Sequence, residues 1–380
     1  MSTHDEKSTI TSIGLMSGSS LDGVDGVLMA YENKFQILAQ ASTTFSDQLR
    51  NKIDNIRQSG KVSLNDFCEL STKIADEYLS ICSKLISHSL QLKRHVNIIG
   101  AHGQTLWHQP PSYSLQICNY ARLAHLTGIS VVGDIRNADI ANGGTGAPLA
   151  PIFHAAAFQS SEEKRAIINL GGIANITVLS ETLQGWDIGP GMTLIDSWYR
   201  MHKNGPFDIS GNWARQGRQN KELLASLLED PFFNRLPPKS TGQEVFNTKW
   251  LEDKISKHPS ICPQDVQNTL TELTAVLCQQ AVDTFASSTE AIYLCGGGAK
   301  NSYLRERISV LNNKNRKVLS VEELGIKPEY VECCLMGWLA TKHLLGEPIM
   351  TQQVTGSNPV PKILGALYPA SPSQFATSRA

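Results

Sequence analysis

Short apolar and β-branched runs recur along the chain at 10–16, 26–30, 35–39, 96–99, 131–134, 166–170, 176–179, 292–295 and 318–321. Runs of this length, separated by polar or glycine-rich segments, predict β-strands, and the first three follow one another closely enough to pair as antiparallel neighbours. Elsewhere apolar positions return every three or four residues, over 64–92, 264–285 and 328–345, which predicts helices; Pro263 stands where a first helical turn accepts proline. Strands interleaved with helices predict an α/β protein. An antiparallel hairpin, a helix and then parallel strands, a succession that returns after residue 165, predicts two related halves facing each other across a cleft. No internal sequence repeat and no low-complexity linker marks a boundary. We place it at the glycine-rich stretch 135–145, giving a first domain of 1–140 plus 360–380, to which the 364–368 run returns, and a second of 141–359.

Where the apolar runs break, the chemistry begins. Between the first two strands lies Ser17-Gly18-Ser19-Ser20-Leu21-Asp22-Gly23-Val24-Asp25. Glycine lets such a turn take positive φ and approach a polyanion, while backbone N–H groups and the hydroxyls of Ser17, Ser19 and Ser20 offer donors to phosphate oxygens. A plain surface turn is the competing reading. Similar strand ends recur at 169–175, with Gly171 and Gly172, and at 294–301, with Gly296, Gly297 and Gly298. Three such ends in a chain without a Walker A motif point to nucleotide phosphates surrounded by backbone donors. Asp22 would repel a polyphosphate unless a cation intervened, which assigns it to Mg²⁺, directly or through water, or to the substrate side; a turn residue bonding its own backbone is the alternative. Asp187 ends a strand candidate and precedes Ile188-Gly189-Pro190-Gly191, a rigid setting suited to a general base, although an aspartate before such a turn also suits a helix N-cap. Lys239-Ser240-Thr241-Gly242 lacks the glycine spacing of a P-loop and reads as a loop of the second domain.

Composition narrows the partners. With 34 basic and 35 acidic side chains in 380 residues, the chain has no global field to attract nucleic acid or an anionic membrane. The eight cysteines form no C-x-x-C pair, the first eight residues lack the apolar core of a signal peptide, and no apolar run approaches membrane-spanning length. A reducing cytoplasm fits these features.

The motifs, taken in order, carry a resemblance. MSGSSLDGVDG, then Ala101-His102-Gly103-Gln104-Thr105, the 133–149 segment with Asp134-Ile135-Arg136-Asn137-Ala138-Asp139, NLGGIANIT, Trp186-Asp187-Ile188-Gly189-Pro190-Gly191, CGGGAKN and Leu364-Gly365-Ala366-Leu367-Tyr368-Pro369 span almost the whole chain. In this the chain resembles the anhydro-N-acetylmuramic acid kinases, within the wider class of actin-like and hexokinase-like ATP-binding folds. The resemblance implies two related domains of actin-like ATPase (ribonuclease H-like) fold, use of ATP with Mg²⁺, and assembly as a homodimer, for which the apolar 270–285 helix would suit an interface. It implies that Asp187 deprotonates a water attacking the anomeric carbon of 1,6-anhydro-N-acetylmuramic acid while the released O6 takes the γ-phosphoryl group, with Glu332 near the reacting sugar. It also implies that Gly18 to Asp25 bind phosphate, that Gly296 to Gly298 lie in the nucleotide half, and that Gln104, Thr105, Arg136 and Asp139 line the sugar pocket. Arg136 would pair with the lactyl carboxylate, since a guanidinium matches a carboxylate in a two-bond fork. The family usually has threonine where this chain has Ile188, asparagine where it has Met192, and Phe-Ala-Trp near Trp338. Those departures leave room for a sugar kinase with a shifted substrate, or for a nucleotide- or sugar-sensing protein without turnover.

Overall fold

The computed structural model describes residues 9–18, 21–32, 35–258, 260–312, 314 and 316–370. The chain forms two compact units, one of residues 1–149 with 332–380 and the other of residues 150–331.

In the first unit the early apolar runs become β1 (Ile10–Met16), β2 (Gly23–Tyr31) and β3 (Phe35–Thr44), followed by β4 (Ile98–Ala101), a separate hairpin of β5 (Gln104–Gln109) and β6 (Tyr113–Ile117), and β7 (Val131–Gly133). The main sheet has the order β3-β2-β1-β4-β7, with β1–β2 and β2–β3 antiparallel and β1–β4 and β4–β7 parallel. In the second unit β8 (Arg165–Leu170), β9 (Ile173–Leu179), β10 (Gln184–Pro190), β11 (Ala291–Cys295) and β12 (Lys317–Ser320) repeat the plan. Its sheet runs β10-β9-β8-β11-β12, again with two antiparallel and two parallel pairings in the same places. This shared 3-2-1-4-5 order is the ribonuclease H-like arrangement of actin-like ATPases, present twice without any detectable sequence repeat. In the first unit β13 (Ala366–Tyr368) adds antiparallel to β7.

The Leu64–Gln91 helix packs its buried face, including Leu70, Ile74, Tyr78 and Ile81, into a core with Ile13, Leu15 and Leu28 of the first sheet. The opposite face is covered by the Val331–Leu344 helix, which lies directly on strand backbone. A Cβ on Gly14 would sit 1.9 Å from the Cys333 carbonyl oxygen, and one on Gly100 would sit 2.0 Å from that of Met336. This contact explains why the 332–359 segment, assigned to the second domain from the sequence, belongs to the first unit.

The Pro263–Phe285 helix corrects a second expectation. Its apolar side chains, among them Val266, Leu270, Leu273 and Leu277, lie in the second unit's own core with Leu194, Leu223 and Leu304 of neighbouring helices. The helix that suggested a dimer face is thus already covered by its own chain. No helix among the described residues is long and apolar enough to cross a membrane.

Candidate active site

In the first unit the β1–β2 turn is anchored by what surrounds it. Leu21 takes positive φ, donates its N–H to Gly18 O at 3.4 Å, and buries its side chain. Gly23 lies at φ +155°, where a Cβ would stand 1.8 Å from the Thr43 carbonyl oxygen. Val24 belongs to the core, leaving its backbone as the part that a ligand would meet. Asp25 accepts from the Ser42 hydroxyl at 2.6 Å, whereas Asp22 is exposed. Ser19 and Ser20 lie outside the described residues. Ser17 corrects the reading of all three serines as phosphate donors: it is 1 % exposed, its hydroxyl pairs with Tyr78 Oη at 3.0 Å, and it donates to Gly103 O at 3.2 Å.

Arg136 sits in the first turn of the Ile135–Ala141 helix. Its Nε donates to His102 Nε2 at 3.0 Å and its Nη1 donates to Gly146 O at 2.8 Å. A guanidinium only donates, so His102 Nε2 accepts, and Nδ1–H donates to Gly103 O at 2.8 Å. Burial, with the Arg136 charge, lowers the His102 pKa to about 3, keeping the ring neutral as a seat for the guanidinium. Beside it, Gln104 is fully buried; Nε2 donates to Gly18 O at 3.2 Å while Oε1 has no partner. Thr105 accepts from Gln116 Nε2 at 3.2 Å.

Asp139 is 0 % exposed, and both of its oxygens are engaged within the fold. Oδ2 accepts from Gly146 N at 2.8 Å, and Oδ1 accepts from the hydroxyls of Thr351 and Thr355. It ties the glycine-rich segment to the 351–355 turn and holds the carbonyl on which Arg136 rests. Glu332, in the first turn of the Val331–Leu344 helix, has its pKa raised by burial, opposed by the Arg136 charge and reinforced by that of Asp25.

In the second unit Asp187 does not end its strand. It lies inside β10, at a β-bulge between Asp187 and Gly189, with Gly189 at φ +152°. Its Oδ2 accepts from Ser240 Oγ at 2.9 Å and from Thr241 N at 3.0 Å, while its own N–H donates to Lys239 O at 3.0 Å. Both side-chain bonds fall on Oδ2, which leaves Oδ1 available. Burial raises the carboxyl pKa against the pull of these two donors. The loop at 239–242 therefore fixes the candidate base, a role that sequence reading did not detect. In the same strand Ile188 is 3 % exposed and points into the core, away from the Asp187 face. The threonine-to-isoleucine departure therefore lies on the far side of the strand.

The two glycine turns of this unit differ in what they leave open. Gly171 and Gly172 give their carbonyls to the N–H groups of Gly191, Met192 and Thr193. A Cβ on Gly172 would lie 2.5 Å from Gln243 Nε2. After β11, Gly296 takes φ +78° and has no room for a Cβ beside Asn169, and Gly298 packs against Leu170 and Met192. Gly297 alone of the three faces open space, with nothing within 4 Å of the place a methyl group would take.

A family model described as anhydro-N-acetylmuramic acid kinase matches residues 10–370. The chain belongs to this family. Relatives named anhydro-N-acetylmuramic acid kinase include one from Albidiferax ferrireducens, 40% identical over 386 residues and covering 94% of this chain and 99% of that protein. Another, from Legionella pneumophila strain Corby, is 38% identical and covers 94% of this chain and 98% of its own length. Among solved structures, the ADPNP-bound activator of 2-hydroxyisocaproyl-CoA dehydratase from Clostridium difficile aligns over 89% of this chain and 96% of its own at 13% identity, with a TM-score of 0.46. Within the anhydro-N-acetylmuramic acid kinase family, this chain thus carries an Asp187 held at one oxygen, an Arg136 seated on a neutral histidine and an open glycine turn after β11.

Proposed function

We propose that the protein uses ATP to phosphorylate O6 of 1,6-anhydro-N-acetylmuramic acid as water opens the anhydro ring, yielding N-acetylmuramic acid 6-phosphate and ADP in the recycling of cell-wall peptidoglycan. The observation that carries this reading is Asp187, with one carboxylate oxygen fixed by Ser240 and Thr241 and a pKa raised by burial, in a chain of this family. A carboxylate held in place, with burial raising its pKa and so its basicity, is suited to act as a general base. Asp187 takes one proton from water, whose oxygen bonds to C1 as the C1–O6 bond breaks. C1 gains oxocarbenium character in the process. The released O6 then bonds to the γ-phosphorus and ADP departs. Positioning and charge stabilisation supply most of the catalysis in such a transfer.

Arg136 receives the lactyl carboxylate, Gln104 offers an unpaired acceptor to a sugar donor, and Thr105 stands next to it. Asp139 acts as a positioning residue through Gly146, while Glu332 orients the sugar or water. Backbone groups at Gly18 to Asp25, Gly171, Gly172 and Gly296 to Gly298 bind the nucleotide. Exposed Asp22 fits a Mg²⁺ that keeps several waters and arrives with the phosphates. When bound, that ion offsets phosphate charge. Eight free thiols support a cytoplasmic location. Assembly as a homodimer rests on the family resemblance alone.

Mass spectrometry of the product formed from ATP, Mg²⁺ and the anhydro sugar in ¹⁸O-water tests the reading. One added phosphate and one labelled oxygen at C1 are expected; phosphate without label, or no product, would overturn it. Arg136→Lys supplies a second check. Lysine keeps the charge but loses the fork and the seat on His102, so the sugar KM rises ~10- to 100-fold, the worth of a charged hydrogen bond, while the ATP KM stays constant.

A further inference from the structure

Asp187, Asn175 and Asn169 form a row across three strands, because Asp187 pairs in register with Asn175, and Asn175 with Asn169. Residues opposed in this way project from the same face of a sheet. Their chain neighbours, Ile168, Leu170, Ala174, Ile176, Trp186 and Ile188, fill the core on the other face. One row back, Gly185, Thr177 and Ile167 are buried beneath the Ala150–Phe158 helix, where Pro151 closes over Gly185 and His154 Nδ1 lies 2.8 Å from Thr177 Oγ1. The row of Asp187, Asn175 and Asn169 is the first in which all three residues are partly exposed. Asn169 is engaged, accepting from the Cys295 thiol and packing against Gly296. Asn175 differs: its Oδ1 is buried and has no hydrogen-bond partner. A buried acceptor left unpaired is costly and calls for a donor that the protein itself does not supply.

We propose that Asn175 is a positioning residue for the attacking water, accepting one of its O–H groups while Asp187 Oδ1 accepts the other. Opposed Cβ atoms on paired strands stand about 5 Å apart, a spacing that one water bridges between two side-chain oxygens. With both hydrogens engaged, the water's lone pairs face away from the sheet, toward C1. Asp187 then takes one proton, the other stays on the new C1 hydroxyl, and C1–O6 breaks as above. An amide suits this place better than a carboxylate: it accepts the same hydrogen bond, whereas a second charge beside Asp187 would hold the base protonated.

The inference rests on the reading of Asp187 as base, so Asn175→Ala, Asn175→Asp and Asp187→Asn are assayed in parallel. Asn175→Ala is expected to lower kcat by ~10²-fold, the scale of a misplaced reactant, with both KM values within about twofold of the parent. Asn175→Asp, nearly identical in shape, is expected to move the acid limb of kcat upward by about one pH unit or more, the direction that a like charge imposes. If Asn175→Ala keeps its kcat within threefold while Asp187→Asn loses activity, Asn175 has no such role and the base assignment stands. A rise in both KM values with unchanged kcat makes Asn175 a ligand contact and overturns the proposal, as does an unmoved acid limb in Asn175→Asp. Full activity in Asp187→Asn removes the underlying reading instead.

Discussion

Asp187→Asn is expected to lower kcat by ~10³-fold or more, a value in the range of general-base catalysis combined with correct nucleophile placement. The amide still accepts from Ser240 and Thr241, so the loop at 239–242 stays in place and ATP binding is unchanged. It cannot take a proton, and label from ¹⁸O-water no longer enters the product. The parent's kcat/KM rises with pH through an acid limb lying above the ordinary aspartate range, since burial raises this carboxyl pKa. In the variant that limb disappears. The stability effect has the opposite sign. A carboxyl whose folded pKa is raised favours folding when protonated, below its unfolded pKa, and loses that contribution as pH rises through the folded value. At neutral pH the parent therefore folds against an ionised, partly buried charge, and Asp187→Asn should melt no lower than the parent. A variant that melts well below it would show that activity was lost through unfolding.

Among the substitutions proposed, Gly14→Ala is expected to cost most stability. Its methyl would lie 1.9 Å from Cys333 O and 2.6 Å from Gly337 N, both backbone atoms of the Val331–Leu344 helix, so no side-chain rotation relieves the clash. The helix must move, at about 3 kcal/mol, the upper end of ordinary overpacking, or roughly 10 °C in Tm. Glu332 rides on the first turn of that helix, so kcat falls with it. Gly297→Ala is the control, because its methyl meets nothing within 4 Å and its φ is not in the positive region. Its Tm is expected to stay within about 1 °C, while its ATP KM rises if that turn cradles phosphate. Differential scanning calorimetry of the three proteins separates these outcomes.

Much of the architecture was legible because β1, β2, β4, β8 and β11 are apolar runs buried within their sheets, while β3 at the sheet edge follows directly on β2. The strand carrying Asp187 was harder to read. Gln184-Gly185-Trp186-Asp187-Ile188-Gly189-Pro190 holds two glycines and a proline, composition that disfavours a central strand yet suits an edge, and β10 is the edge of its sheet. The β5–β6 hairpin escaped notice for a related reason: Thr105, His108, Ser114 and Gln116 form a hydrogen-bonded polar face where a strand signal expects apolar residues. Asp187 itself stood out in the sequence, but its partners Ser240 and Thr241 lie more than fifty positions further on, and no local spacing announces them. Ser17 fails in the opposite direction. A hydroxyl in a glycine turn reads as a ligand donor, and only packing against Tyr78 and Gly103 reveals that it points inward. Asp139, which the resemblance places in the sugar pocket, likewise turns inward, its two oxygens taken by Gly146, Thr351 and Thr355.

The placement of the Val331–Leu344 helix sets an order for biosynthesis. Residues 150–331 are one continuous stretch and can complete their sheet and core as soon as they emerge from the ribosome. The other unit cannot. Gly14 and Gly100 present bare strand backbone to a helix made more than two hundred residues later, and β7 waits for β13, which is made after that helix. The nascent N-terminal sheet thus remains open on one face through most of translation, so premature termination before residue 332 should leave a chain whose early half is exposed to chaperones and proteases while its middle is already native.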